Sequence, residues 1–166
     1  FVGVRALAQL AGANERAVRP SLDAVVGHLD AADEDVRVAA LAVVGQVGGE
    51  HPRLVRDAAG HVASAFDHPV GRVRSAAALS AARLLAADPD AFAELSPPLT
   101  DALDDSNRAV RRRSHWALIS VAVEHPDAVS DPKRVIERLA GATDADLELR
   151  EGTVGDAVGA LVTRLN

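Results

Sequence analysis

Four arginines, Arg108, Arg111, Arg112 and Arg113, crowd into one short stretch, and the chain's single tryptophan, Trp116, follows within a helical turn. Guanidinium groups grip carboxylates and phosphates through paired N–H donors, and Trp and Arg are enriched among binding hot spots. Such a cluster could contact an acidic or phosphorylated partner, or be no more than a solvated helix start. The histidines offer a second chemistry, because imidazole is the commonest metal ligand. His51 and His125 share the context Glu-His-Pro, and His68 precedes Pro69. With no cysteine present, thiol catalysis, disulfides and Cys-ligated zinc are excluded. No Ser-His-Asp set is indicated by proximity.

What these side chains can do depends on the elements that carry them, and an internal repeat defines those elements. Val-Arg recurs at Val36-Arg37, Val73-Arg74 and Val110-Arg111, in steps of 37 residues. The same step links Pro52, Pro89 and Pro126, and also Asp30, Asp67 and Asp104. Weaker copies flank them at Val4-Arg5 and Leu149-Arg150. From Val36 the apolar positions are Val36, Ala40, Val43, Val44 and Val47, one face of an α-helix. Val73, Ala77, Ser80, Ala81 and Leu84 repeat that stripe, as do Val110, Ser114, Ala117, Leu118 and Val121. Asp33, Asp67 and Asn107 precede these helices as N-cap or turn residues. Breaks at Gly48-Gly49, Asp88-Pro89 and His125-Pro126 end them.

A first helix pairs with each second one. Its stripes are Leu22, Val25, Val26 and Leu29; Leu54, Ala58, Val62 and Phe66; Phe92, Leu95, Leu99 and Leu103; and Val135, Ile136 and Leu139. Pro20, Pro97-Pro98 and Pro132 fall inside three of them and predict kinks or divisions. The last helix is fitted by Val154, Val158, Leu161, Val162 and Leu165, and a leading helix by Phe1 to Leu10.

A kinked first helix, a short Asp-bearing turn and a second helix opening with Val-Arg resemble the HEAT-repeat family of armadillo-like solenoids. The resemblance implies an all-α, right-handed α-α superhelix of about four helical hairpins plus a leading helix. The expected domain is the single span 1–166, with approximate repeats 1–29, 30–66, 67–103, 104–140 and 141–166. With no Met at any position, the chain reads as part of a longer protein. The resemblance also implies a ladder between neighbouring repeats, joining Asp30, Asp67 and Asp104 (or Asp105) to Arg37, Arg74 and Arg111.

Second helices line the concave face of such solenoids. Arg112, His115, Trp116 and Ile119 then stand opposite the hairpin interior, above Ser75, Ala78, Leu79 and Ala82 one repeat earlier and Val38, Leu41, Ala42 and Gly45 two repeats earlier. Leu79, Arg112, His115, Trp116 and Ile119 are the candidate partner-binding residues, with Trp116 either an exposed anchor or ordinary inter-repeat core. Histidines two repeats apart stand ~20 Å apart and cannot share an ion. No metal or cofactor is expected.

The remaining composition narrows the function classes. Aromatics are 2% of residues and Ala and Val dominate, so packing must come from small side chains at close range. No apolar run approaches the ~18 residues of a membrane span, and cytoplasmic localisation is expected. Basic residues are Arg apart from Lys133, and Asp exceeds Glu, usage similar to that of GC-rich and salt-in halophilic microbes. A net charge of −6 disfavours non-specific nucleic-acid binding. The leading expectation is a non-catalytic protein-interaction scaffold that takes a peptide or partner helix. The alternatives are a nucleic-acid or phosphate-binding module using Arg108, Arg112 and Arg113, and an enzyme such as a DNA glycosylase or a lyase acting on a prosthetic group.

Overall fold

The computed structural model describes residues 15–142, 147–148 and 152–166, and the side chains from Val18 onward. The expected leading helix, Val4-Arg5 and Leu149-Arg150 lie outside the described residues. Among those described there are eight α-helices and no strand. They are α1 (Glu15–Gly27), α2 (Glu34–Glu50), α3 (Ala59–Ser64), α4 (Gly71–Ala87), α5 (Ser96–Asp101), α6 (Arg108–Glu124), α7 (Pro132–Ala140) and α8 (Thr153–Leu165). Helices α1/α2, α3/α4, α5/α6 and α7/α8 form four hairpins.

The sequence repeat is the structural repeat. Helices α2, α4 and α6 are each 17 residues long, and their first residues are 37 apart. Each ends where a proline looms. His51, Asp88 and His125 leave the helical region (φ −138°, −155° and −139°) just before Pro52, Pro89 and Pro126, as the clash of a proline ring with the preceding residue requires.

Caps explain the starts. Asp33 Oδ1 accepts from Asp35 N at 2.8 Å and Val36 N at 3.2 Å, and Asn107 Oδ1 accepts from Ala109 N at 2.9 Å. Asp67, expected in the same role, does not cap α4. It closes a 3₁₀ turn over Ala65–Asp67, and Val70 is the N-cap without a side-chain bond. There Gly71 lets the neighbouring loop close in, because a Cβ would stand 2.4 Å from Asn107 Nδ2.

Breaks in the first helices follow the expected prolines only in part. In the second hairpin 3₁₀ turns at Pro52–Leu54, Arg56–Ala58 and Ala65–Asp67 flank the six-residue α3. Pro97 and Pro98 sit in the first turn of α5. Pro132 opens α7 rather than kinking it, at a position whose N–H needs no partner. Pro20 lies inside α1.

The core runs through all four hairpins. Leu22 and Leu29, Val62 and Phe66, Phe92, Leu95, Leu99 and Leu103, and Val135 and Leu139 are buried against the second-helix stripes. Three positions depart from the expected stripes. Val36 is 39% exposed, while Val73 and Val110 are fully buried. The 3₁₀ turns before α4 and α6 pack over those helices, whereas a plain hydrogen-bonded turn precedes α2. Val162 and Leu165 on α8 are also exposed.

Repeats are joined chiefly through second helices, α2 on α4 and α4 on α6. The backbones come close at Gly45, where a Cβ would meet Ser80 Cα at 2.9 Å. Ser80 Oγ donates to the Leu41 carbonyl at 2.5 Å. Small residues here do what large aromatics do in other cores, by bringing backbones together. Further bonds cross between repeats. Ser130 N donates to buried Ser96 Oγ at 2.8 Å, while within the last hairpin Arg164 donates to the Pro126 and Val129 carbonyls.

Candidate functional site

Because α2, α4 and α6 share one register, residues 37 apart form rows across them. One row is Val38, Ser75 and Arg112. The next, one turn along, is Ala42, Leu79 and Trp116. A third holds Gln46, Arg83 and Ser120. All of these residues but Ser120 line a groove made of two adjoining clefts of ≈ 500 and ≈ 710 Å³ that share Ser75, Asn107, Ala109 and Arg113. The middle row is apolar and ends in Trp116, which is 49% exposed. Of the two readings of Trp116, the exposed one describes the structure.

The groove is electrostatically one-sided. Arg72, Arg83, Arg108, Arg112 and Arg113 line it, and Glu148 is its only acidic residue among those described. Arg72 Nη1 lies 2.6 Å from Asp35, at the edge, and Arg112 Nη1 lies 3.3 Å from Glu148. Among the described residues Arg83, Arg108 and Arg113 have no ion pair.

Of the expected contact residues, Leu79, Arg112 and Trp116 lie in the groove. His115 is half-buried on the flank, with Nδ1 2.8 Å from the Arg111 carbonyl oxygen. Ile119 is a correction: it is only 2% exposed and belongs to the core. By the repeat, position 119 is equivalent to Gly45, which faces the next repeat's helix rather than the groove.

The expected ladder also needs correction. Among the described residues its one rung is Arg74 to Asp105, with Nε–Oδ2 2.6 Å and Nη2–Oδ1 2.8 Å. Asp104 instead faces Arg134 at 2.9 Å and Arg138 at 2.8 Å. Asp30 pairs with His61 Nδ1 at 2.8 Å, and Asp67 is exposed. Each arginine does share one bond type, donating to carbonyls of the loop before its own helix. Arg37 reaches Ala31, Arg74 reaches His68 and Pro69, and Arg111 reaches Asp105 and Ser106. The Arg74 hydrogen bonds hold the Asp105 carboxyl below the usual carboxylate range, and raise Arg74 in return. Asp104 is lowered by Arg134 first, then Arg138.

The histidines serve structure. His125 Nε2 lies 3.0 Å from the Ala86 carbonyl oxygen, strapping one repeat to the end of the previous second helix. His68 Nδ1 accepts from Val70 N. No group of three metal-ligating side chains converges among the described residues.

Sequence reasoning missed Arg72, Arg83, Gln46 and Glu148. Arg83 was within reach: it is one turn beyond Leu79 on the same helix face. Glu148 was not, because it arrives from a connection outside the repeat.

No known family profile matches the chain, and no curated protein matches it. Solved structures do. One is a designed armadillo repeat protein in complex with the peptide (KR)4, with TM-score 0.68 and 18% identity. The match covers 86% of this chain and 64% of that protein. An engineered protein matches with TM-score 0.66 and 16% identity, over 95% of this chain and 71% of its own. At such identities the likeness establishes the fold, an all-α armadillo-like helical-repeat solenoid.

Proposed function

We propose that the chain is a non-catalytic interaction module of HEAT type that binds a peptide or partner helix along the groove over α2, α4 and α6. The observation that carries this reading is the unbroken apolar row Ala42–Leu79–Trp116, lying in a continuous groove and ending in a half-exposed indole. A half-exposed tryptophan beside arginines is the combination most enriched among binding hot spots. A structural neighbour seen with a peptide supports a peptide as the partner class. We place the whole span 1–166 in one repeat domain of a cytoplasmic protein. No described helix is long and apolar enough to cross a membrane.

The test is selection from a random peptide display library against the wild type and against Trp116→Ala/Arg112→Glu. Clones that bind the wild type and lose the variant support the groove. Clones that bind both equally move the site elsewhere.

A second reading is favoured by Arg108 and Arg113, which have no ion pair among the described residues, namely phosphate or nucleic-acid contact through these residues and Arg112. It predicts affinity that falls steeply with salt. Flat binding across salt rejects it.

A further inference from the structure

The chain carries a formal charge of −6, yet its groove is lined by five arginines and one described carboxylate. Many of the acids lie on turns and first helices, as Asp30, Asp101 and Asp104 illustrate, and those of α2 and α6 stand at the helix ends. The first turns of α4 and α6 hold no acidic residue, whereas α2 opens with Glu34 and Asp35. Within α6 the first two turns thus carry Arg108, Arg111, Arg112 and Arg113 and no carboxylate.

The chain itself shows what this groove accepts. Leu147 and Glu148 arrive at its α6 end from a connection outside the repeat. Leu147 is buried and lines the same cleft as Trp116, and the Glu148 carboxylate stands 3.3 Å from Arg112. Glu148 does so with φ 56°, in the left-handed region that disfavours a side chain. An apolar residue beside a carboxylate is thus the one chemistry the described structure seats there.

The repeat sets a spacing. Packed helix axes lie about 8–10 Å apart. A polyproline II strand rises ~3.1 Å per residue with three residues per turn, so every third side chain recurs on one face after ~9 Å. We infer that the groove takes an acidic peptide with an apolar side chain at every third position. Those side chains lie over Ala42, Leu79 and Trp116, and its carboxylates meet Arg83, Arg112 and Arg113. This rests on the peptide-binding reading and adds the sign and period of the ligand. Nucleic acid fits less well. The row offers one aromatic ring for stacking, and Lys133, the only lysine, is outside the groove.

Trp116 is the only tryptophan and there is no tyrosine, so intrinsic emission reports this site alone. The probes are three repeats of Leu-Glu-Glu, three repeats of Leu-Lys-Lys, both end-blocked, and an oligothymidylate of about nine nucleotides. The acidic peptide gives a saturable blue shift, and the basic one gives none. Arg83→Glu/Arg113→Glu weakens the acidic peptide by about tenfold or more, with helicity and Tm unchanged. If that variant fails to fold, the glutamine pair at the same positions takes its place and weakens binding in the same sense. Glu148→Ala, which removes the internal competitor, tightens binding by about threefold, the scale of an exposed ion pair.

A blue shift from the basic peptide at equal or lower concentration overturns the inference and leaves the peptide-binding reading standing. A shift from oligothymidylate alone overturns it in favour of nucleic acid. Silence from both peptides, while library-selected peptides still depend on Trp116, overturns the inference alone. Acidic binding unchanged by the arginine substitutions overturns it too.

Discussion

Arg74 and Asp105 join two repeats through a two-pronged ion pair across 31 residues of sequence, with side chains only 13% and 10% exposed. Both partners are also anchored locally. Arg74 donates to the His68 and Pro69 carbonyls, and Asp105 Oδ1 accepts from Asn107 N at 2.7 Å. One pair thereby locks two successive loops.

Asp105→Asn removes the charge from this lock. Breaking a buried pair costs 3–5 kcal/mol, and Arg74 keeps two carbonyls, so a loss of about 2 kcal/mol is expected. The pH dependence follows from the depressed carboxyl. Its stabilisation is complete above the unfolded value of about 3.9 and is lost as pH falls through the lower folded value. Denaturant melts should show wild-type stability dropping below about pH 4, with a shallower drop in Asp105→Asn. Equal slopes would refute the assignment.

The rung is single because of what occupies the equivalent positions. One repeat before Asp105 stands His68, and one repeat after stands Ala142. His68 Nδ1 accepts from Val70 N, the same local bond that Asp105 makes to Asn107. The substitution His68→Asp therefore keeps the turn and offers Arg37 an inter-repeat partner. A gain of about 1 kcal/mol in denaturant melts is expected, of the size of a charge-assisted hydrogen bond. No gain would mean that Arg37 cannot reach.

Glycines separate propensity from packing. At Gly45 an added Cβ meets the Ser80 backbone, while at Gly155 and Gly159 it meets nothing within 4 Å. Alanine gains about 1 kcal/mol of helix propensity at any exposed helical glycine. Gly155→Ala and Gly159→Ala should raise Tm. Gly45→Ala should lower it, since overpacking costs about 1–3 kcal/mol. A rise in all three would show that α2 and α4 are less tightly apposed.

Ser114 is fully buried and its hydroxyl has no partner among the described residues. The equivalent positions are Ala40 and Ala77. Leaving a hydroxyl unsatisfied costs about 1–3 kcal/mol. Ser114→Ala should therefore raise stability by about 1 kcal/mol, and destabilisation would reveal a bond through a bound water.

The fold was legible because three markers share one period, and each marker has a physical job. Val packs the hairpin, Arg ties the loop and Pro ends the helix. The groove was partly legible, because rows 37 apart place Leu79 and Trp116 side by side. Ile119 was misplaced because its 60° offset from Trp116 turns it onto the flank that meets the next helix. The ladder partners were misassigned because sequence period does not tell Asp104 from Asp105. Only the loop geometry, with Asp105 bonded to Asn107 N, points the second carboxylate at Arg74. Glu148 carried no periodic signal at all.

The central claim is that a peptide lies over Trp116, and the most direct measurement is Trp116 emission during titration with a library-selected peptide. The account predicts a saturable blue shift, as the indole leaves water, at the same concentration that gives half-maximal binding by calorimetry. Arg112→Glu, which keeps the indole, should move both midpoints upward together. Calorimetric binding that leaves Trp116 emission unmoved, with affinity unchanged in Trp116→Ala, would contradict it.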